Sequence, residues 1–109
     1  MKMNVSYFTN IEFEQEKDKN WEIDEEEMAV SLARALKALR KYRGYSLKTV
    51  SEATGIPFPT IARYESGENI PGVIQAYKLA YFYEFPLGDI FAIGLFNTDD
   101  LEEIISKWK

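Results

Sequence analysis

Residues 38–80 read ALRKYRGYSLKTVSEATGIPFPTIARYESGENIPGVIQAYKLA, and the placing of glycine, proline and hydroxyl residues cuts this stretch into short helices. Gly44 stands where a helix C-terminus favours a left-handed residue. Ser46 follows as an N-cap, so a short second helix runs through Val50 and Ala53 and stops at Gly55. Pro57 and Pro59 are tolerated only in a first turn, which makes them the start of a third helix running through Ile61 to Tyr64. Gly67 to Pro71 reads as a loop.

Upstream, Asp24 and Glu27 form a capping pair, and Glu25, Glu26 and Glu27 complement the positive end of a helix dipole. Met28, Leu32, Ala35, Leu36 and Leu39 then share one face at helical spacing, with Arg34, Lys37 and Lys41 mainly away from it. Downstream, a fourth helix from about Gly72 to Glu84 carries Val73, Ala76, Tyr77, Ala80 and Phe82 and breaks near Pro86; Leu87 to Phe91 suggest a fifth helical turn. Thr98, followed by Asp99 and Asp100, caps a last amphipathic helix with the stripe Leu101, Ile104, Ile105 and Trp108. Near the start, Val5, Tyr7, Thr9, Ile11 and Phe13 recur with period two, the pattern of a half-buried strand, although Phe8 interrupts the alternation. The expected organisation is an acidic N-terminal extension over 1–23, a helical domain over 24–96 and a C-terminal amphipathic helix over 97–109.

A chain of 109 residues suits one compact core. With no cysteine there are no disulfides, thiolate metal sites or thiol nucleophiles, and with no histidine the usual general base near neutral pH is missing, so enzymatic chemistry is not expected. Neither a cofactor nor a metal is implied. The opening residues lack the long apolar segment of a signal peptide, and the longest apolar stretch, Ile90 to Phe96, is far short of the ~20 residues of a membrane span. A cytoplasmic protein without membrane contact is therefore expected. The net charge of −5 is unevenly spread: 1–28 carry −6, 29–91 carry +3 and 92–109 carry −2. A basic middle between acidic ends keeps a nucleic-acid partner open despite the overall sign.

The segment from Leu36 to Phe91 resembles the lambda-repressor-like (XRE) helix-turn-helix family. Arg40, Gly44, Ser46, Gly55, Ile61, Tyr64, Glu65, Gly67 and Pro71 stand in family register. The resemblance implies an all-α, five-helix domain, here with an N-terminal strand-like extension and an extra C-terminal helix. It implies sequence-specific binding of double-stranded DNA in transcription control, as a homodimer on paired half-sites. In that register Phe58, Pro59, Thr60, Ala62 and Arg63 face base edges, and Ser46, Lys48, Ser66 and Asn69 meet phosphate. Arg40 and Glu65 correspond to a pair tying the first helix to the third. Leu47 replaces a common glutamine, and Phe58 and Pro59 replace polar residues, which reduces hydrogen-bond readout. The acidic ends and the apolar start of the third helix support an alternative, the same fold meeting a protein as an antirepressor or scaffold. Ile74 and Tyr81, one heptad apart where the family usually shows polar residues to solvent, imply a further covered face.

Overall fold

The computed structural model describes residues 24–108, which form six helices and no strand. They are α1 (Glu25–Arg43), α2 (Leu47–Thr54), α3 (Phe58–Ser66), α4 (Val73–Tyr83), α5 (Leu87–Gly94) and α6 (Leu101–Ser106). The expected strand from Val5 to Phe13 lies outside the described residues.

The boundaries follow the local chemistry. Asp24 accepts hydrogen bonds from the amides of Glu26 and Glu27 at 3.1 and 3.2 Å, which satisfies two of the first-turn donors that a helix leaves without partners. Gly44, Gly55 and Gly67 end α1, α2 and α3 with φ of 80°, 79° and 84°, a region where a Cβ is strained. Pro57 precedes α3 and Pro86 precedes α5, so neither ring displaces an intrahelical hydrogen bond.

The long helix α1 is the spine, packing against α3, α5 and α6, while α2 packs on α3 and α4. Leu36, Leu39, Val50, Ile56, Ile61, Leu79, Tyr83, Ile90 and Ile93 fill one continuous core. α5 approaches the backbone of α1 tightly at Gly94: a Cβ there would lie 2.5 Å from the carbonyl oxygen of Ser31. Leu101 and Ile105 of α6 are buried in the same core, and Trp108 meets Phe96 edge to face. Arg34 of α1 donates to the carbonyl of Thr98, holding the chain just ahead of α6.

Several expectations shift by a residue or more. Met28, expected on the core stripe of α1, is exposed, and Ala33 takes part in the burial instead. On α4 the buried residues are Ala76, Leu79, Ala80 and Tyr83, whereas Val73 and Tyr77 face solvent. The core takes the side of α4 that carries Ala76, Leu79, Ala80 and Tyr83, and leaves Val73 and Tyr77 on the other. α5 extends to Gly94, beyond the single turn expected, and the cap of α6 is Asp100, which accepts from the Glu103 amide at 3.1 Å; Thr98 instead accepts from the Asp100 amide. Ile74 and Tyr81 are not covered by α6, and Tyr81 is 87% exposed.

Candidate nucleic-acid interface

α3 is held from behind. Ile61 and Tyr64, one helical turn apart, are buried against the core, so the opposite side of the helix must face out. By helical rotation that side consists of Pro59, Ala62, Arg63 and Ser66, with Phe58 at one edge and Thr60 at the other. Pro59, Arg63 and Ser66 are exposed, Ala62 and Thr60 half-buried, and Phe58 is 47% exposed. Arg63 is the one charged side chain of this face, since Glu65, the other charge of α3, turns inward.

The orientation of α3 against α1 is fixed by Arg40 and Glu65. Arg40 Nε and Nη2 donate to Glu65 Oε2 and Oε1 at 2.7 and 2.9 Å, and Nη1 donates to the carbonyl of Tyr45 at 2.9 Å. Both side chains are mostly removed from solvent, at 12% and 7% exposure. The hydrogen bond with Glu65 raises the guanidinium above its ordinary pKa against the opposing effect of burial. Beneath the pair, burial first and the Glu65 charge second push the Tyr83 phenol well above the usual tyrosine range.

The turn between α2 and α3 is braced by hydroxyl groups. Ser51 donates to the carbonyl of Ile56 at 2.6 Å, and Thr54 donates to Val50 at 2.8 Å while accepting from the Ile56 amide at 3.2 Å. Together with the left-handed Gly55, these bonds set the angle at which α3 leaves α2. Ser51 and Thr54 were not singled out in the sequence, because a serine or threonine in a helix has no pattern that separates bracing from solvation.

Of the residues expected to meet phosphate, Ser46, Lys48, Ser66 and Asn69 are all exposed. Ser46 caps α2, its Oγ accepting from the Thr49 amide and donating to Thr49 Oγ1, both at 3.0 Å. The amides of Leu47 and Lys48 remain directed out of the helix N-terminus. Ser66 closes the end of α3, donating to the Arg63 carbonyl and accepting from the Glu68 amide. Leu47, at the position where a glutamine is common, is half-buried and packs against the core instead of projecting beside α3.

Residues 36–90 match the family model described as helix-turn-helix. The chain is 38% identical over 55 residues to an HTH-type transcriptional regulator, SutR, of Escherichia coli K12, an overlap of 50% of this chain and 31% of that protein. It is 30% identical over 56 residues to an uncharacterized HTH-type transcriptional regulator, YgzD, of Bacillus subtilis, covering 51% of this chain and 85% of that one. The chain thus spans about a third of the length of the first relative and most of the second. No solved structure matches it.

Proposed function

The chain belongs to the helix-turn-helix family of the lambda-repressor-like kind, and from that premise we propose that it binds double-stranded DNA as a cytoplasmic transcription regulator. The observation that carries the proposal is the outward face of α3, rigidly aimed by the Arg40–Glu65 pair, beside the open N-terminus of α2. A major groove admits a helix of this size. With α3 in the groove, Arg63 reads guanine, Thr60 hydrogen-bonds a base, Phe58 meets a thymine methyl, and Pro59 and Ala62 supply close apolar contact. Across the backbone, the α2 amides, Lys48, Ser46, Ser66 and Asn69 hold phosphates and set the register.

Two copies acting as a homodimer on half-sites one helical turn apart supply the affinity that one sparse reading helix lacks. The domain over 24–96 carries the contacts, flanked by the acidic extension over 1–23 and the helix over 97–109. Exposed Phe58 followed by Pro59 favours, as second reading, a protein partner at the same face. Selection of bound sequences from a pool of randomised duplexes, followed by titration at several salt concentrations, separates the two. An enriched, salt-sensitive sequence with dyad symmetry supports the first; no salt-sensitive binding to any duplex leaves the protein partner.

A further inference from the structure

Between the start of α1 and the loop joining α3 to α4 lies an open hollow of about 380 Å³. Its apolar walls are Val30 and Ile70, which are 50% and 57% exposed, and its rim carries Glu25, Glu26 and Glu68. Gly67 lies on the floor beside α1, where a Cβ would make an ordinary 3.7 Å contact with Val30 Cγ2. We propose that this hollow is the seat of the chain's own Trp21, flanked by Ile23 and Lys19.

Three observations select this occupant. The chain arrives at α1 through the rim itself, since Asp24 caps the helix and the next two residues line the hollow. A residue three positions before Asp24 is thereby tethered within about 10 Å of it, at the high effective concentration of a short linker. The sequence supplies the matching chemistry in alternation: Lys17, Lys19, Trp21 and Ile23 alternate with Glu16, Asp18, Asn20 and Glu22, a period-two spacing that an extended backbone would put on opposite sides. Trp21 and Ile23 suit the Val30–Ile70 walls. Lys19 answers the three carboxylates of the rim, one of which can accept the indole N–H that a buried tryptophan must place.

The chain has two tryptophans, Trp21 and Trp108, so fluorescence reads the site directly. In the Trp108→Phe variant of the full chain, the remaining indole is expected to emit to the blue of free N-acetyltryptophanamide and to resist acrylamide quenching. Ile70→Asp or Val30→Asp, each at an exposed position, is expected to abolish both effects while circular dichroism stays unchanged. The difference spectrum between the intact chain and Trp21→Phe gives the same reading should the loss of Trp108 disturb α6. An indole that is as red-shifted and quenchable as the free amide overturns the proposal. So does protection that survives Ile70→Asp and Val30→Asp, which places Trp21 elsewhere. Protection that vanishes on dilution in step with a fall from dimer to monomer mass also overturns it, because the occupant is then a second copy's tryptophan.

Discussion

Arg40 directs three nitrogens inward, two at Glu65 and one at the Tyr45 carbonyl, and this commitment explains why removing its partner is costly. Glu65→Gln leaves a largely buried guanidinium without its counter-charge, a loss of ~3–5 kcal/mol. In a domain of this size the melting midpoint is expected to fall by more than about 10 °C; a change of only a degree or two would show that the pair is solvated in solution. The same neighbourhood governs the alkaline limb of stability. The folded Tyr83 phenol is raised above its unfolded pKa of about 10, so its contribution is fully present below that value and is lost as pH rises beyond it, with the unfolded state giving up its proton first. Urea midpoints taken at intervals above about pH 9 are expected to decline less steeply for Tyr83→Phe than for the parent, and parallel declines would remove Tyr83 from the account. Arg40 and Glu65 were legible as a pair only through the family resemblance, since nothing in their spacing says that residues 25 apart meet. Gly94 was not, because a glycine in an apolar run does not announce which backbone it must approach. Its Cβ in Gly94→Ala would meet the Ser31 carbonyl, and forced separation of α1 from α5 is expected to cost ~1–3 kcal/mol by chemical denaturation.

Helix positions were largely readable because their ends are marked by local chemistry: Asp24, Ser46, Pro57 and the three left-handed glycines each do one job that few residues can do. Which side of a helix is buried was less readable where apolar residues surround it. α4 carries aromatic or aliphatic side chains almost all round, so periodicity could not distinguish Leu79 and Tyr83, which the core takes, from Val73, Tyr77 and Tyr81, which it leaves out. α3 escaped this ambiguity, since Ile61 and Tyr64 are its obvious inward pair and the remaining positions follow by rotation. On that outward face, Arg63 and Lys48 differ in what they are proposed to touch. Arg63→Ala is expected to cost ~1–3 kcal/mol on the preferred duplex and to relax specificity, as loss of a base-reading arginine does. Lys48→Ala is expected to weaken all duplexes about equally and to lower the salt slope by roughly one, for one phosphate no longer neutralised. Both are exposed, so circular dichroism should be unaltered; mutants with indistinguishable profiles would refute the assignment of α3 to the groove.

Across the whole molecule the charges are arranged in blocks, and the blocks oppose one another. Residues 29–91, which include the DNA-facing surface proposed above, carry +3, while residues 1–28 carry −6. A phosphate backbone feels both, and at distances within a Debye length the acidic block raises the free energy of any approach whatever the base sequence. Its effect is therefore expected on every duplex, random ones included. Converting Glu12, Glu14, Glu16 and Asp18 to the corresponding amides removes four negative charges without altering the 29–91 block. Affinity for a random duplex should rise at low salt, and the gain should shrink as salt increases, because screening shortens from about 30 Å at 0.01 M to about 10 Å at 0.1 M. The ratio of specific to random affinity should stay about constant, since the favoured and random duplexes gain alike in electrostatic attraction. Fluorescence anisotropy with one random and one selected duplex, each titrated at three salt concentrations, measures all of this. Unchanged random-duplex affinity at the lowest salt would mean that the acidic block lies beyond a Debye length from the bound backbone, and the repulsion argument would then be wrong.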